Sequence, residues 1–204
     1  MHGGAVDAPA GASRRLPRRE TRRTTIADPT AVRPADLVKR QFSPRRPDAT
    51  WVADFTYVAT WSGIMYVAFV LDAFSRRILG WRAARSMRTD LVLDALEMAI
   101  WTRGRQGVVD LYGLVHHSGA GSQYTSIAFT ERLAEAGAAP SVGSVGDAYD
   151  NVLAETEIGL FKTELIHHRE PWRGLDDVER QCCVERGRQI QPDDAVIRWH
   201  TRVR

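Results

Sequence analysis

Alternation of apolar and polar positions begins abruptly at Trp51. Trp51–Val58 is rich in aromatic and β-branched residues, and Ile64–Leu71 is an apolar run. Between them Thr60-Trp61-Ser62-Gly63 has the composition of a hairpin turn. Arg77–Ala84 reads as a third strand after a short connection through Phe74-Ser75, so the three predict an antiparallel meander. The period then changes. Val92, Ala95, Leu96, Ala99 and Ile100 fall on one helical face, with Thr89 as a capping residue, Asp90 at the positive end of the dipole and Gly104 as a stop. Gly113–His117 predicts a short strand and Thr125 to about Gly137 a second helix. A loop containing Gly143 and Gly146 leads to a third helix from about Asp150. This order predicts an α/β sheet of mixed direction with helices packed on it.

Before Trp51 the pattern is absent. Residues 1 to about 48 carry scattered glycines, five prolines up to Pro44 and the run Arg14-Arg15-Leu16-Pro17-Arg18-Arg19, which predicts an unstructured arm. Residues 1–50 hold eleven Lys and Arg against five Asp and Glu, so the formal net charge of +3 conceals a basic arm ahead of a slightly acidic globule. That layout suits contact with nucleic acid phosphates, and equally a solvated tail with no partner. At 204 residues and 44% hydrophobic, the chain can bury one ordinary core. Its two cysteines, Cys182 and Cys183, are adjacent and give no disulfide framework, which fits a reducing cytoplasm. No stretch approaches the roughly 18 apolar residues that span a bilayer.

Two acidic residues stand out. Asp54 lies mid-strand among apolar neighbours, where a carboxylate costs several kcal/mol unless it is paired, although a solvent-facing Asp on an edge strand reads as well. Glu155 lies one position off the apolar stripe Ala154, Ile158, Phe161 and Leu165 of the third helix, in a row with Gly159 and Lys162. A small residue followed by a cation makes a strip on which a nucleic acid backbone can rest; an ordinary solvated flank is the plain alternative. His116-His117, His167-His168 and Cys182-Cys183 invite a zinc site, but adjacent pairs are poorly spaced for tetrahedral ligation.

Several segments, in order, resemble one family. They are W-V-A-D-F-T-Y-V (Trp51–Val58), Y-V-A-F-V-L-D-A-F-S-R-R-I-L-G-W (Tyr66–Trp81), H-H-S-G-A-G-S-Q-Y-T-S (His116–Ser126), Y-D-N-V-L-A-E-T (Tyr149–Thr156) and F-K-T-E-L (Phe161–Leu165). They resemble the second-frame transposase of small bacterial insertion sequences, whose catalytic core is integrase-like. The resemblance implies a ribonuclease H-like fold: a mixed five-stranded sheet flanked by helices, here preceded by a disordered basic arm. It implies metal-dependent DNA cleavage and strand transfer in DNA integration. Three acidic residues would hold two Mg²⁺ or Mn²⁺ ions. Asp54 matches the first acid and Glu155 the third. The second should fall in H-H-S-D-R-G-S-Q-Y-T-S, and that place is Gly119, with thirty-five residues between it and Glu155; the next residue, usually Arg, is Ala120. Asp110, Asp147 and Asp150 are not obviously placed to substitute. Gln123, Tyr124, Asn151 and Lys162 are the DNA-contacting positions the resemblance implies.

These matches divide the chain into a disordered basic arm (1–48), an integrase catalytic core (49–183) and a tail (184–204) whose text no longer resembles the family. A shifted frame or decayed copy would explain the altered ends and the missing acid together. Three functions compete: an active strand transferase with a substitute ligand, a non-catalytic DNA-binding remnant, and a ribonuclease H-type nuclease. The transposase-like Ser122–Ser126 and Tyr149–Asn151 contexts speak against the last. DNA, both element ends and target, is the expected partner; a homo-oligomer is expected of the parent family, and no membrane is.

Overall fold

The computed structural model describes residues 33–143 and 172–190, the last six by backbone alone. Strands β1 (Thr50–Thr60), β2 (Gly63–Asp72) and β3 (Arg77–Ala84) form the expected antiparallel meander, with Thr60 opposite Gly63 and Trp51 opposite Asp72. At the hairpin the Thr60 hydroxyl donates to the Gly63 carbonyl (2.7 Å), and Gly63 takes φ +109°, which a side chain would resist. Pairing of β2 with β3 shifts at Val70/Leu71, so Leu79 is skipped and Gly80 faces α1 (Thr89–Arg105). A Cβ at Gly80 would stand 2.1 Å from the Ala95 carbonyl oxygen. Only glycine lets the helix lie this close to the sheet.

The helical stripe is as the sequence predicts, with Val92, Ala95, Leu96 and Ala99 buried. Its ends differ. Arg88 occupies the N-cap without a side-chain bond, and Thr89 is already helical. The helix passes through Gly104 to Arg105, and Gly107 (φ +86°) supplies the left-handed turn that Gly104 was expected to make.

Helix α1 returns the chain to the other side of β1, where β4 (Val115–Ser118) pairs in parallel. Then α2 (Ile127–Glu135), capped by Ser126, leads to β5 (Ala139–Val142), parallel to β4 at the sheet edge, where Pro140 removes no ladder bond from an interior strand. The strand order is β3-β2-β1-β4-β5. One face packs Trp51, Ala53, Val70 and Leu79 against α1 and α2. The other packs Val52, Val58, Phe69 and Leu71 against Trp172 and against Val178 and Cys182 of α3 (Leu175–Ile190). Both faces are covered, as buried parallel strands require.

Two boundaries move. Residues 33–48, expected to be part of a disordered arm, pack as an irregular strap. Val38 is buried, the Leu37 amide donates to the Ser141 hydroxyl (2.9 Å), and Phe42 meets the His117 ring edge-on at 5.4 Å. Single anchoring side chains hold it rather than a repeating pattern. At the other end α3 continues past residue 183 to Ile190. Residues 1–32 and 191–204, and the expected third helix near Asp150, lie outside the described residues.

Candidate active site

The chain reverses its winding direction between β1 and β4, the kind of switch point beside which open α/β sheets place ligands. Asp54 is half-buried on β1, and its carboxylate accepts the Phe55 amide at 2.8 Å. The last β1–β4 pair is Ala53 with Ser118. The next residue after each is Asp54, still on β1, and Gly119, just past the end of β4. The register thus runs toward both the first acid and the second-acid position. A Cβ built at Gly119 meets no atom of the described residues within 4 Å, and its φ lies outside the left-handed region. Among the described residues neither packing nor backbone geometry requires glycine there.

The loop after Gly119 is held by local bonds. Gly121 accepts from the amide of Tyr124 (3.1 Å), and Ser126 caps α2 at the Phe129 amide while donating to the Gln123 carbonyl. The Gln123 side-chain amide donates to the Met87 carbonyl (2.9 Å), tying this loop to the start of α1. Tyr124 departs from its expected place. Its ring is 3% exposed, stacked on Phe55 and edge-on to Phe129, so it supports the loop from within rather than facing DNA. Burial, with a lesser contribution from the Asp54 charge, holds its hydroxyl well above the usual phenol range and therefore neutral. Glu155, Asn151 and Lys162 lie outside the described residues, as do Asp147 and Asp150.

A two-ion site needs carboxylates converging on the metals. Among the described residues, which do not include Glu155, no three His, Cys, Asp or Glu side chains cluster, and Gly119 offers no side-chain donor. Asp110 caps the Tyr112 amide (2.7 Å) instead. His116 and His117 face opposite sides of β4. His116 meets Phe129, while His117 Nδ1 lies 3.0 Å from the Ser141 hydroxyl and 3.7 Å from Asp36.

A buried ionic cluster went unread in the sequence. Arg103 bonds Asp48 (2.7 Å) and the fully buried Asp72 (3.2 Å), and Asp72 also accepts from the Ser75 hydroxyl (2.6 Å). It ties the start of β1, the end of β2 and the end of α1 together. The signal was available: Arg103 continues the apolar stripe four residues beyond Ala99, where a cation needs a buried partner.

Comparison with known proteins places this geometry. The model of the integrase core domain matches residues 44–148. The transposase of insertion sequence element IS986/IS6110 from Mycobacterium tuberculosis is 64% identical over 162 residues, covering 79% of this chain and 58% of that protein. The transposase of insertion sequence element IS629 from Shigella sonnei is 53% identical over 157 residues, 77% of this chain and 50% of that protein. A chain of the simian T-cell lymphotropic virus intasome superposes with TM-score 0.55 at 16% identity, over 76% of this chain and 52% of that one, a likeness of fold. The chain belongs to the integrase core domain family. It spans 50–58% of the two transposases it matches. The family acts on DNA and depends on metal ions. Among the described residues no helix is long and apolar enough to cross a membrane.

Proposed function

We propose that this chain is the core of an insertion-sequence transposase that engages DNA beside Asp54 and is deficient in cleaving and joining it. One observation carries the reading: Asp54 and Gly119 each follow directly on the last β1–β4 pair, Ala53 with Ser118, and Gly119 has no side-chain donor. In the family scheme, Asp54, an acid at position 119 and Glu155 would hold Mg²⁺ or Mn²⁺ for phosphoryl transfer. Without the middle ligand the set is incomplete. Loss of even ~4 kcal/mol of transition-state stabilisation slows the reaction about 10³-fold. Lys162 and Asn151 are the DNA contacts this reading assigns, with Gln123 shaping the loop between them and Asp54. The parent family's pairing of element ends in a multimer is part of the same reading.

The test compares the native chain with Gly119→Asp by Mn²⁺ calorimetry and by Mn²⁺-dependent nicking of supercoiled DNA. The variant is expected to bind two ions and to nick at least about 100-fold faster. Equal Mn²⁺ binding by the two proteins would mean that another residue replaces the acid and would overturn the proposed deficiency.

A further inference from the structure

The tip of the β1–β2 hairpin is clamped to the segment that opens α3. Thr60 forms a parallel bridge with Trp172, and the Trp61 amide donates to the Trp172 carbonyl (2.9 Å). Gly174 lies so close to the hairpin that a Cβ would stand 2.6 Å from the Ser62 hydroxyl. The junction encloses a cavity of about 330 Å³ lined by Ser62, Arg85, Arg173, Arg180, Asp176 and Asp177. Asp177 is occupied by Arg180 (3.6 Å) and by the Arg173 amide (3.2 Å). Among the described residues the guanidinium groups of Arg85 and Arg173 have no carboxylate partner. Beside them the Trp61 side chain stands 73% exposed, although a tryptophan gains more from burial than almost any residue.

Unpaired arginines beside an unburied indole suit one kind of partner. Cations take phosphates, and a flat aromatic face takes a base or sugar. We infer that the hairpin tip and the start of α3 form a nucleic-acid docking surface, with Trp61 as the stacking platform and Arg85 and Arg173 on the phosphates. An acidic protein would satisfy the arginines but leave the indole without its counterpart. Thr60 lies six residues along β1 from Asp54, about 20 Å at ~3.3 Å per residue. That is the length of about six nucleotides. The surface therefore grips DNA about half a helical turn from the phosphate next to Asp54. It rests on the reading of the chain as a DNA-handling core.

The test measures anisotropy of a labelled 30-base-pair duplex and of the matching single strand, from 50 to 200 mM NaCl, with the full chain. Arg85→Gln/Arg173→Gln is expected to weaken binding and to lower the salt slope by about two units. Trp61→Ala is expected to weaken single-strand binding about tenfold while leaving the slope unchanged. Arg105→Gln, an exposed arginine on α1, serves as the control and is expected to change affinity less than the double variant. Thermal unfolding of each variant verifies the fold, since all four side chains are exposed. If the native chain binds and the hairpin variants match it, or match the Arg105 control, this surface is wrong while the DNA-core reading stands. If the native chain binds neither DNA, both fail together.

Discussion

Restoring the missing acid should destabilise the protein until metal is added. Continued one residue past its last pair, Ala53 with Ser118, the β1–β4 register would set the Gly119→Asp carboxylate about 5 Å from that of Asp54. At an effective dielectric of about 20, two such charges repel by about 3 kcal/mol. Replacing glycine restricts the unfolded chain and returns about 0.4–1 kcal/mol. No steric penalty enters, since the Cβ meets nothing within 4 Å. The balance is a loss of about 2 kcal/mol at neutral pH, or roughly 4–8 °C in melting temperature for a domain of this size. Mn²⁺ at about 100 times its dissociation constant would add about 2.7 kcal/mol to a protein that binds it only when folded. Differential scanning calorimetry with and without Mn²⁺ should therefore show Gly119→Asp melting below the native chain in chelator and gaining far more from the metal. Gly119→Asn, of the same shape without the charge, should melt at or above the native temperature in chelator. If Gly119→Asn falls as far as Gly119→Asp, the space at this position is not open. If Gly119→Asp loses nothing in chelator, the two side chains are not neighbours.

Two further predictions concern the body beneath the site. Burial, with a smaller effect of the His117 charge, lowers the His116 pKa to about 4, and both ring nitrogens lack partners within the structure. The unfolded chain then binds a proton near pH 6.5 that the folded chain refuses. Stability from this group is full above that pH and falls as pH drops toward 4, by roughly 2–3 kcal/mol between pH 7 and 4.5. Urea unfolding at both pH values should show that loss largely abolished in His116→Leu, and an equal loss in both proteins would assign the titration elsewhere. Arg103→Met strands the fully buried Asp72 and should cost about 3–5 kcal/mol by urea unfolding, part of it recovered by adding Asp72→Asn; a loss under 1 kcal/mol would show that Asp72 finds other donors.

What the sequence disclosed follows from where repetition exists. The meander and α1 were legible because strand and helix impose periods of about 2 and 3.6 on long segments. Strand β5 was not read from pattern at all, since four residues with a proline carry almost no period; only the family resemblance called for a fifth strand. The strap of residues 33–48 was missed for a related reason. Val38 and Phe42 are single anchors in a Pro- and Arg-rich stretch, and composition outweighs them. Asp54 and position 119 were paired through the resemblance, whereas the parallel register that runs toward both, ending at Ala53 with Ser118, is something no local pattern specifies. Tyr124 shows the opposite failing. Its motif suggested a DNA contact, but an aromatic ring between Phe55 and Phe129 gains more from the core than from the surface.

The same geometry explains how a chain can lose its second acid and keep its fold. A carboxylate at position 119, just past the end of β4, would contribute repulsion to the metal-free fold rather than packing among the described residues. Gly119 takes part in neither hydrophobic layer, and the ion-paired cluster of Asp48, Arg103 and Asp72 lies at the other end of β1, beside Thr50. On the proposed reading, removing the acid would relieve the fold while disabling the chemistry. Selection for stability alone does not hold an acid at position 119, so once catalysis is no longer selected, drift there meets no resistance. Positions such as Gly80 and Arg103 are different: their substitution breaks helix packing or strands a buried charge whether or not the protein turns over. On the proposed reading, a core that has drifted at its acid but retains these residues would keep the surface assigned to DNA, and binding would be its remaining activity.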